Sequence, residues 1–165
     1  PLIGPGVSAG LMLTFIIVFN EYLVTLFVHP PDVTTPPLRL FNLVRAARWI
    51  LAHGPKTVVI KKGEHGAYMF TGNSVFFAPP YPLEEVFDPT GAGDSFAGGF
   101  IGYLARTGRS DEAAMRRAVV YGSVLGSFAV ERFSIDRLME IHRVDIAQRL
   151  EAFRKLVAFE EELDE

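Results

Sequence analysis

The chain has 165 residues, with 16 Lys and Arg against 19 Asp and Glu, so its formal net charge is −3. With 49% hydrophobic and 12% aromatic residues it can form a sizeable core, which excludes intrinsic disorder over most of its length. The mild acidic excess argues against nucleic-acid binding, because that function needs clustered Lys and Arg. No cysteine is present, so disulfides, thiolate metal sites and cysteine nucleophiles are excluded.

The sequence predicts neither a membrane span nor a zinc site. The apolar run at residues 11–19 ends at Asn20 and Glu21, well short of the roughly 20 residues that a span needs. A secretory signal would need a cationic segment before this run, but the first basic residue is Arg39. The four histidines are scattered without metal-ligand spacing. A cytoplasmic protein without a metal site of its own is the simplest interpretation.

The first half of the chain predicts a parallel βαβ unit. Residues 15–19 are β-branched and aromatic, which is typical of a buried strand. Residues 28–40 are predicted as an irregular loop, because VHPPDVTTPP places four prolines in ten residues. Apolar residues then recur at helical spacing from Leu40 to Leu51, and Gly54 with Pro55 should end this helix. The run TVVI at residues 57–60 is the next predicted strand.

A hairpin and several helices are predicted to follow. Two short runs, at residues 67–70 and 74–78, flank Thr71-Gly72-Asn73, whose glycine is expected to supply the positive φ of a tight turn. Residues 94–105 have helical apolar spacing. The remaining boundary predictions are Gly108 as the end of that helix, Ser110 as the next N-cap, Ser134 and Asp145 as the caps of two more helices, and a frayed acidic tail at residues 160–165.

The segment DPTGAGDSFAGG, residues 88–99, predicts an anion-binding loop at a helix start. Its small residues allow a ligand close to the backbone, and the first amides of the following helix have no intrahelical partner. Together with the helix dipole, these amides could receive phosphate oxygens. The spacing fits neither a Walker A loop nor a Rossmann fingerprint, and no Gly-x-Ser-x-Gly elbow is present.

Asp94 has two interpretations. A carboxylate in the first turn of a helix is favoured by the dipole, so Asp94 could be a capping acid only. Beside an anion loop, however, a permanent negative charge opposes phosphate binding unless it has a chemical task, such as accepting a proton from an attacking hydroxyl. The sequence therefore predicts that Asp94 is a general base.

A second glycine pair lies in KKGEHG, residues 61–66. It could simply be a tight turn between two strands. It could also contact a nucleotide, because glycines expose backbone amides and Lys61 can neutralise phosphate. Both interpretations remain open at this point.

These segments resemble a known family. The run VFDPTGAGDSFAGGFIGYLA resembles the second signature of the ribokinase-like, or PfkB, carbohydrate kinases, and VVIKKGEHGAY looks like the strand and glycine turn that precede it. The resemblance implies an α/β fold with a central, mostly parallel sheet flanked by helices. It also implies ATP-dependent phosphorylation of a sugar or nucleoside hydroxyl with Mg²⁺.

The resemblance also implies roles for individual residues. It makes Asp94 the catalytic base, and it gives Gly91, Ala92 and Gly93 the anion-hole amides. It places Thr90 beside the phosphates, Gly63 and Gly66 on ATP, and the helix around Ser123 near the adenine. The small residues of that helix equally suit close helix packing.

Two departures from the family pattern bear on activity. Family members are about twice as long, so residues 1–165 are expected to form a single domain that is truncated on its N-terminal side. Asn20 is followed three places later by Leu23, where the family commonly has Glu near Mg²⁺ and phosphate. A nucleotide-binding module without catalysis and a plain structural domain are therefore alternatives. An exposed apolar face is also expected, with possible homo-oligomers.

Overall fold

The computed structural model describes residues 36–158, with side chains from Asn42 onward. The predicted strand at residues 15–19, Asn20, Leu23, most of the proline-rich loop and the acidic tail lie outside these residues. The chain divides into two compact units, one ending at Pro80 and the other beginning at Tyr81. The expectation of one domain over residues 1–165 stays a prediction.

The first unit combines one helix with a three-stranded sheet. Its elements are α1 (Pro36–Ala52), β1 (Thr57–Lys61), a 3₁₀ turn (Gly63–His65), β2 (Ala67–Thr71) and β3 (Val75–Ala78). Leu43, Ala47 and Ile50 on one face of α1 are buried together with Val58 and Ile60 of β1 and Phe70 of β2. Burial of each large apolar side chain contributes about 1.5–3 kcal/mol, so this cluster holds the helix against the sheet.

The proline-rich loop was predicted to extend too far. The prediction ended it at residue 40, but α1 already begins at Pro36. Proline fits the first turn of a helix because the amides of that turn have no intrahelical acceptor. The two prolines at residues 36 and 37 therefore begin the helix instead of preceding it. The predicted end of the helix near Gly54 is confirmed.

The described strands are antiparallel, so the prediction of a mostly parallel sheet is wrong for this part of the chain. The strand order is β1-β2-β3, with Ile60 opposite Tyr68 and Phe70 opposite Val75. The connections between these strands are only a few residues long, and a parallel pairing needs a crossover of about a dozen or more. The predicted parallel partner of β1, residues 15–19, lies outside the described residues.

The predicted hairpin is confirmed, but its turn differs from the prediction. Gly72 is not among the described glycines with positive φ. Instead, Thr71 closes the turn, because its amide donates to the Ser74 carbonyl at 2.9 Å and its hydroxyl accepts from the Ser74 amide at 3.1 Å. The Thr71 hydroxyl therefore stabilises the hairpin turn, which was expected to depend on a left-handed Gly72.

The second unit is helical. Its elements are α2 (Ala92–Thr107), α3 (Glu112–Ala129), α4 (Asp136–Glu140) and α5 (Arg143–Val157), and α3 packs against the other three. Gly108 ends α2 as predicted. It has a left-handed backbone, and its amide donates a hydrogen bond to the Leu104 carbonyl at 2.9 Å. In the part of the chain that the structure describes, no helix is long and apolar enough to cross a membrane.

Two of the predicted helix caps are wrong, and a third acts from a different position. Asp111, not Ser110, caps α3, because its Oδ1 accepts from the Ala114 amide at 3.1 Å. Ile135, not Ser134, precedes α4, and Ser134 takes a left-handed backbone with φ of 57°. At α5, Asp145 does act at the helix start, but from the first turn, where its Oδ2 accepts from the His142 amide at 2.7 Å.

Candidate functional site

The predicted anion-binding segment is residues 88–99, and its first part, residues 88–94, is called the anion loop below. The loop begins with a turn that is held by a hydrogen bond. The Thr90 amide donates to Asp88 Oδ1 at 2.9 Å. Hydrogen bonds from the Thr90 hydroxyl and from the backbone amides of Thr90 and Ser134 lower the pKa of the Asp88 carboxyl. The amides of Phe87 and Asp88 both donate to the Val130 carbonyl, at 2.9 and 3.4 Å. The segment that leads into the loop is therefore attached to the residue that follows α3.

Gly91 is the point at which the loop becomes helix. It is the N-cap of α2 and has a left-handed backbone with φ of 78°, which L side chains adopt only with strain. Its carbonyl accepts from both the amide and the hydroxyl of Ser95, each at 2.9 Å. A left-handed residue beside right-handed ones turns successive N–H groups toward one concave surface, a geometry that binds anions.

The three predicted anion-hole residues are not equivalent. Gly91 is exposed, and no atom of the described residues lies within 4 Å of the position that a Cβ would take, so this part of the chain leaves its backbone open to a ligand. The Ala92 amide donates to the Pro89 carbonyl at 3.2 Å, near the long limit for such a bond. Gly93 lies in the first turn of α2 and is half-buried. The Ala92 amide could donate to a phosphate only if it gave up its hydrogen bond to the Pro89 carbonyl or shared its hydrogen between the two acceptors.

Asp94 lies in the first turn of α2 with an exposed side chain. Among the residues that the structure describes, its carboxylate has no hydrogen-bond or ion-pair partner. It therefore does not cap α2 through a hydrogen bond. The capping interpretation is left with the favourable interaction between the Asp94 charge and the helix dipole. The structure thus leaves an accessible carboxylate in the first turn of α2, and its role as the general base stays a prediction.

The small residues of α3 serve mainly to bring two helices together. A Cβ on Gly122 would lie 2.8 Å from the Phe96 carbonyl oxygen of α2, and one on Gly126 would lie 3.3 Å from the Ala92 carbonyl oxygen. The close-packing interpretation therefore accounts for both glycines. Ser123 lies between them in sequence and is half-buried, and its role at the adenine stays a prediction.

In the first unit, KKGEHG forms the turn between β1 and β2. Lys61 is the last residue of β1, and the Lys62 amide donates to the Gly66 carbonyl at 2.8 Å. Gly63 and Gly66 have positive φ, of 52° and 81°. Gly63 is exposed, whereas Gly66 is buried where a Cβ would overlap the Ala78 carbonyl oxygen. The turn interpretation is confirmed, and nucleotide contact by Lys61, Gly63 and Gly66 stays a prediction.

Sequence reasoning missed a cluster of charged groups at the C-terminal end of α3. Arg149 of α5 donates to Glu131 and, at 3.1 Å, to the Ser127 hydroxyl, and Arg137 donates to Glu131 at 2.9 Å. These residues are far apart in the sequence and match no local motif. Only the amphipathic pattern of α5, with a cation on its apolar side, could have suggested the cluster.

Within residues 36–158, no group of three or more His, Asp or Glu side chains could hold a metal ion. Mg²⁺ does not need such a group, because it commonly binds through one or two carboxylates together with substrate phosphates. Asp94 is exposed at the anion loop, but a carboxylate that accepts a hydroxyl proton cannot also be a metal ligand, so phosphate oxygens would supply most of the donors. Any Mg²⁺ at this loop would therefore be held jointly with a phosphate ligand.

Known structures identify the class of fold. A crystal structure of aminoimidazole riboside kinase from Salmonella enterica, complexed with aminoimidazole riboside and an ATP analog, matches with a TM-score of 0.57 at 30% identity, over 64% of this chain and 35% of that chain. A ribokinase crystal structure from Thermotoga maritima matches with a TM-score of 0.55 at 25% identity, over 65% of this chain and 34% of that one. The fold is ribokinase-like.

The sequence identifies the family. Residues 5–138 match the pfkB family of carbohydrate kinases, so the chain belongs to this family. It is similar to a cytidine kinase from Thermococcus kodakarensis, with 46% identity over 72 residues, which are 43% of this chain and 26% of that protein. The chain thus spans about a quarter of that curated relative and about a third of each crystallised kinase.

Proposed function

We propose that this chain provides the catalytic part of a kinase that phosphorylates a sugar or nucleoside hydroxyl with ATP. The observation that carries the proposal is the exposed Asp94 carboxylate in the first turn of α2, near the left-handed Gly91; this carboxylate has no hydrogen-bond or ion-pair partner within residues 36–158. Family membership and the ATP-analog complex of the aminoimidazole riboside kinase support ATP as the donor.

In the proposed reaction, the acceptor hydroxyl attacks the γ-phosphorus of ATP in line with the leaving oxygen of ADP. A new O–P bond forms, the bond from the γ-phosphorus to the bridging oxygen breaks, and Asp94 accepts the hydroxyl proton. The amides of residues 91–93 and the dipole of α2 stabilise charge on the transferring phosphoryl group. Mg²⁺ would neutralise charge on the phosphates.

Further ATP contacts are proposed for Asn20, Lys61, Gly63, Gly66, Thr90 and Ser123. Thr90 is exposed and lies next to Gly91 in the chain, so its hydroxyl can reach a phosphate bound at the loop. Because the donor is ATP, we also propose a cytoplasmic location. The acceptor class is open between sugars and nucleosides, since similar proteins include a cytidine kinase and a deoxyribokinase.

The test is Asp94→Asn in the complete gene product, assayed for phosphoryl transfer over a panel of sugars and nucleosides. Turnover should fall by about 10² to 10⁴, the usual effect of a positioned base, while ATP affinity changes only a few-fold. Asp136→Asn is the matched control, because Asp136 is also an acid in the first turn of a helix. Near-normal turnover in Asp94→Asn would exclude the proposed base.

The same assay decides between catalysis and the alternative of a nucleotide-binding module. Such a module would bind ATP, yet no acceptor in the panel would be phosphorylated.

Self-association is proposed for the second unit. Phe87, Phe133 and Met139 are large apolar side chains that are 70%, 75% and 75% exposed. Exposed apolar side chains favour contacts with other molecules. Sedimentation velocity should show oligomers whose proportion rises with concentration and falls in Phe133→Ser. A single monomeric boundary at all concentrations would contradict this.

A further inference from the structure

The C-terminal end of α3 is fastened by a group of side chains, the α3 clamp, made of Arg149, Glu131, Arg137 and Ser127. Arg149 donates to both Glu131 and the Ser127 hydroxyl, and its guanidinium lies 3.5 Å from the centre of the Phe128 ring. The side chains of Arg149 and Glu131 are only 14% and 23% exposed. At this depth, salt and solvent screen the charges much less than at the surface.

The end of α3 that the clamp fastens also holds both ends of the anion loop. At the loop's start, the Val130 carbonyl accepts from the amides of Phe87 and Asp88. At its end, Gly126 lies against the Ala92 carbonyl of α2. The clamp also reaches the segment before the loop, because the Arg149 guanidinium lies 4.9 Å from the centre of the Tyr81 ring. A shift of the end of α3 would therefore move residues 88–94.

Stability alone is a weak reason for a half-buried ion pair. Removing two charges from water costs free energy, and apolar replacements of similar volume are often neutral or stabilising. A hydrogen-bonded pair instead fixes how the joined side chains are oriented relative to one another, since the planar guanidinium can bind Glu131 and Ser127 only in one orientation. The clamp is thus suited to setting a geometry.

We propose that Arg149 is a positioning residue for the anion loop. Through Glu131, Ser127 and Phe128 it sets the position of the Val130 carbonyl and of Gly126, and thereby the placement of Asp94 and the loop amides. The inference rests on the proposed phosphoryl transfer. Within residues 36–158, Arg149 makes no hydrogen bond or ion pair to Asp94 or to the loop amides, so it would act through other residues.

The test compares Arg149→Met with Arg149→Lys in the complete gene product. Methionine keeps an apolar stem but donates no hydrogen bond, so the variant loses the bonds to Glu131 and Ser127. A small misplacement of a reacting group can lower the rate of a reaction by about 10². We expect kcat to fall by about that factor with the acceptor KM within a few-fold. Lysine keeps one charged donor and should recover at least about tenfold of this loss. Arg154→Met is the control on the same helix, because Arg154 is exposed and, among the described residues, its ion-pair partner is Glu151 on the surface of the same helix.

A double variant separates this inference from the proposed function. If Arg149 acts by placing Asp94, adding Arg149→Met to Asp94→Asn should lower kcat by much less than it does in the wild type. If the fold-loss in kcat of the double variant equals the product of the fold-losses of the two single variants, the inference is overturned. Normal turnover in Asp94→Asn alone would instead overturn the proposed base.

Folding is checked by thermal unfolding of each variant. If Arg149→Met does not fold, Glu131→Gln replaces it, because the neutral amide weakens both of the Glu131 ion pairs and preserves shape. Its kcat should then fall at nearly constant KM. A folded Arg149→Met or Glu131→Gln with wild-type kcat would overturn the inference.

Discussion

Gly122 offers the sharpest test of how α2 and α3 are held together. In Gly122→Ala, the new Cβ would lie 2.8 Å from the Phe96 carbonyl oxygen and 3.0 Å from two atoms of the Phe96 ring. Ordinary contacts begin near 3.4 Å, so the helices must separate by about half an ångström. The clash is partly with backbone, which cannot rotate away as a flexible side chain can.

Two opposing terms set the size of the effect. Replacing glycine by alanine inside a helix contributes about 1 kcal/mol of stability. Overpacking a tight contact costs about 1–3 kcal/mol. The net change in Gly122→Ala should therefore be a loss of roughly 0–2 kcal/mol in the free energy of unfolding. Gly102→Ala is the matched control, since a Cβ there meets no atom of the described chain within 4 Å and the favourable helix term is expected alone.

Urea unfolding of the two variants measures the packing cost directly. Their free energies of unfolding should differ by about 1–3 kcal/mol, because the helix term cancels between them. If both variants gain the same stability, within about 0.3 kcal/mol, the close contact of α3 with the Phe96 backbone is wrong.

Two further predictions concern a helix cap and a turn. Asp111→Ala should lower the urea midpoint, because the Ala114 amide loses its acceptor, whereas Asp111→Asn should retain the cap. Hydrogen bonds from Arg109 and from the Ala114 amide lower the pKa of Asp111 to about 2, below its unfolded value of about 3.9. The part of the cap's contribution that depends on the carboxylate charge should therefore be complete above about pH 4 and should decline as the pH falls through about 2, because the protonated carboxyl can accept only as the neutral side chain of Asp111→Asn does. An advantage of wild type over Asp111→Ala that is as large at about pH 2 as at about pH 5 would contradict this. In the first unit, Gly66→Ala should destabilise more than Gly54→Ala by about 1–3 kcal/mol, because both have positive φ but only the Gly66 Cβ meets the Ala78 backbone; equal losses in thermal unfolding would show that the backbone relaxes.

The spacing of apolar residues, together with the positions of glycine and proline, predicted the helices and the hairpin correctly. The spacing of Phe96 and Phe100 predicted the helix that the structure places at Ala92–Thr107, and Gly108 ends it as expected. The boundaries of α3 and α4 were missed because several neighbouring residues have similar capping propensity. Only the structure shows that Asp111 reaches the Ala114 amide, and that Ser134 takes a left-handed backbone instead of capping.

The remaining differences come from tertiary structure. Strand composition does not distinguish a parallel pairing from an antiparallel one, so the composition of β1 alone could not show that it pairs antiparallel with β2. At the candidate site, the glycine-rich run and Asp94 were identifiable from the sequence because their spacing is local. The α3 clamp was not, since Arg149 and Glu131 come together only when α5 folds back onto α3.

The strand β3 has a consequence for how this protein behaves in concentrated solution. It lies at the edge of the described sheet and exposes Val75 and Phe77, a pattern that can template pairing with another chain. Pro79 and Pro80 follow immediately, and neither can donate a backbone hydrogen bond. An incoming strand can therefore pair with only four residues, which limits growth into fibrils. The two prolines act as gatekeepers against aggregation, and replacing them would lengthen the exposed edge.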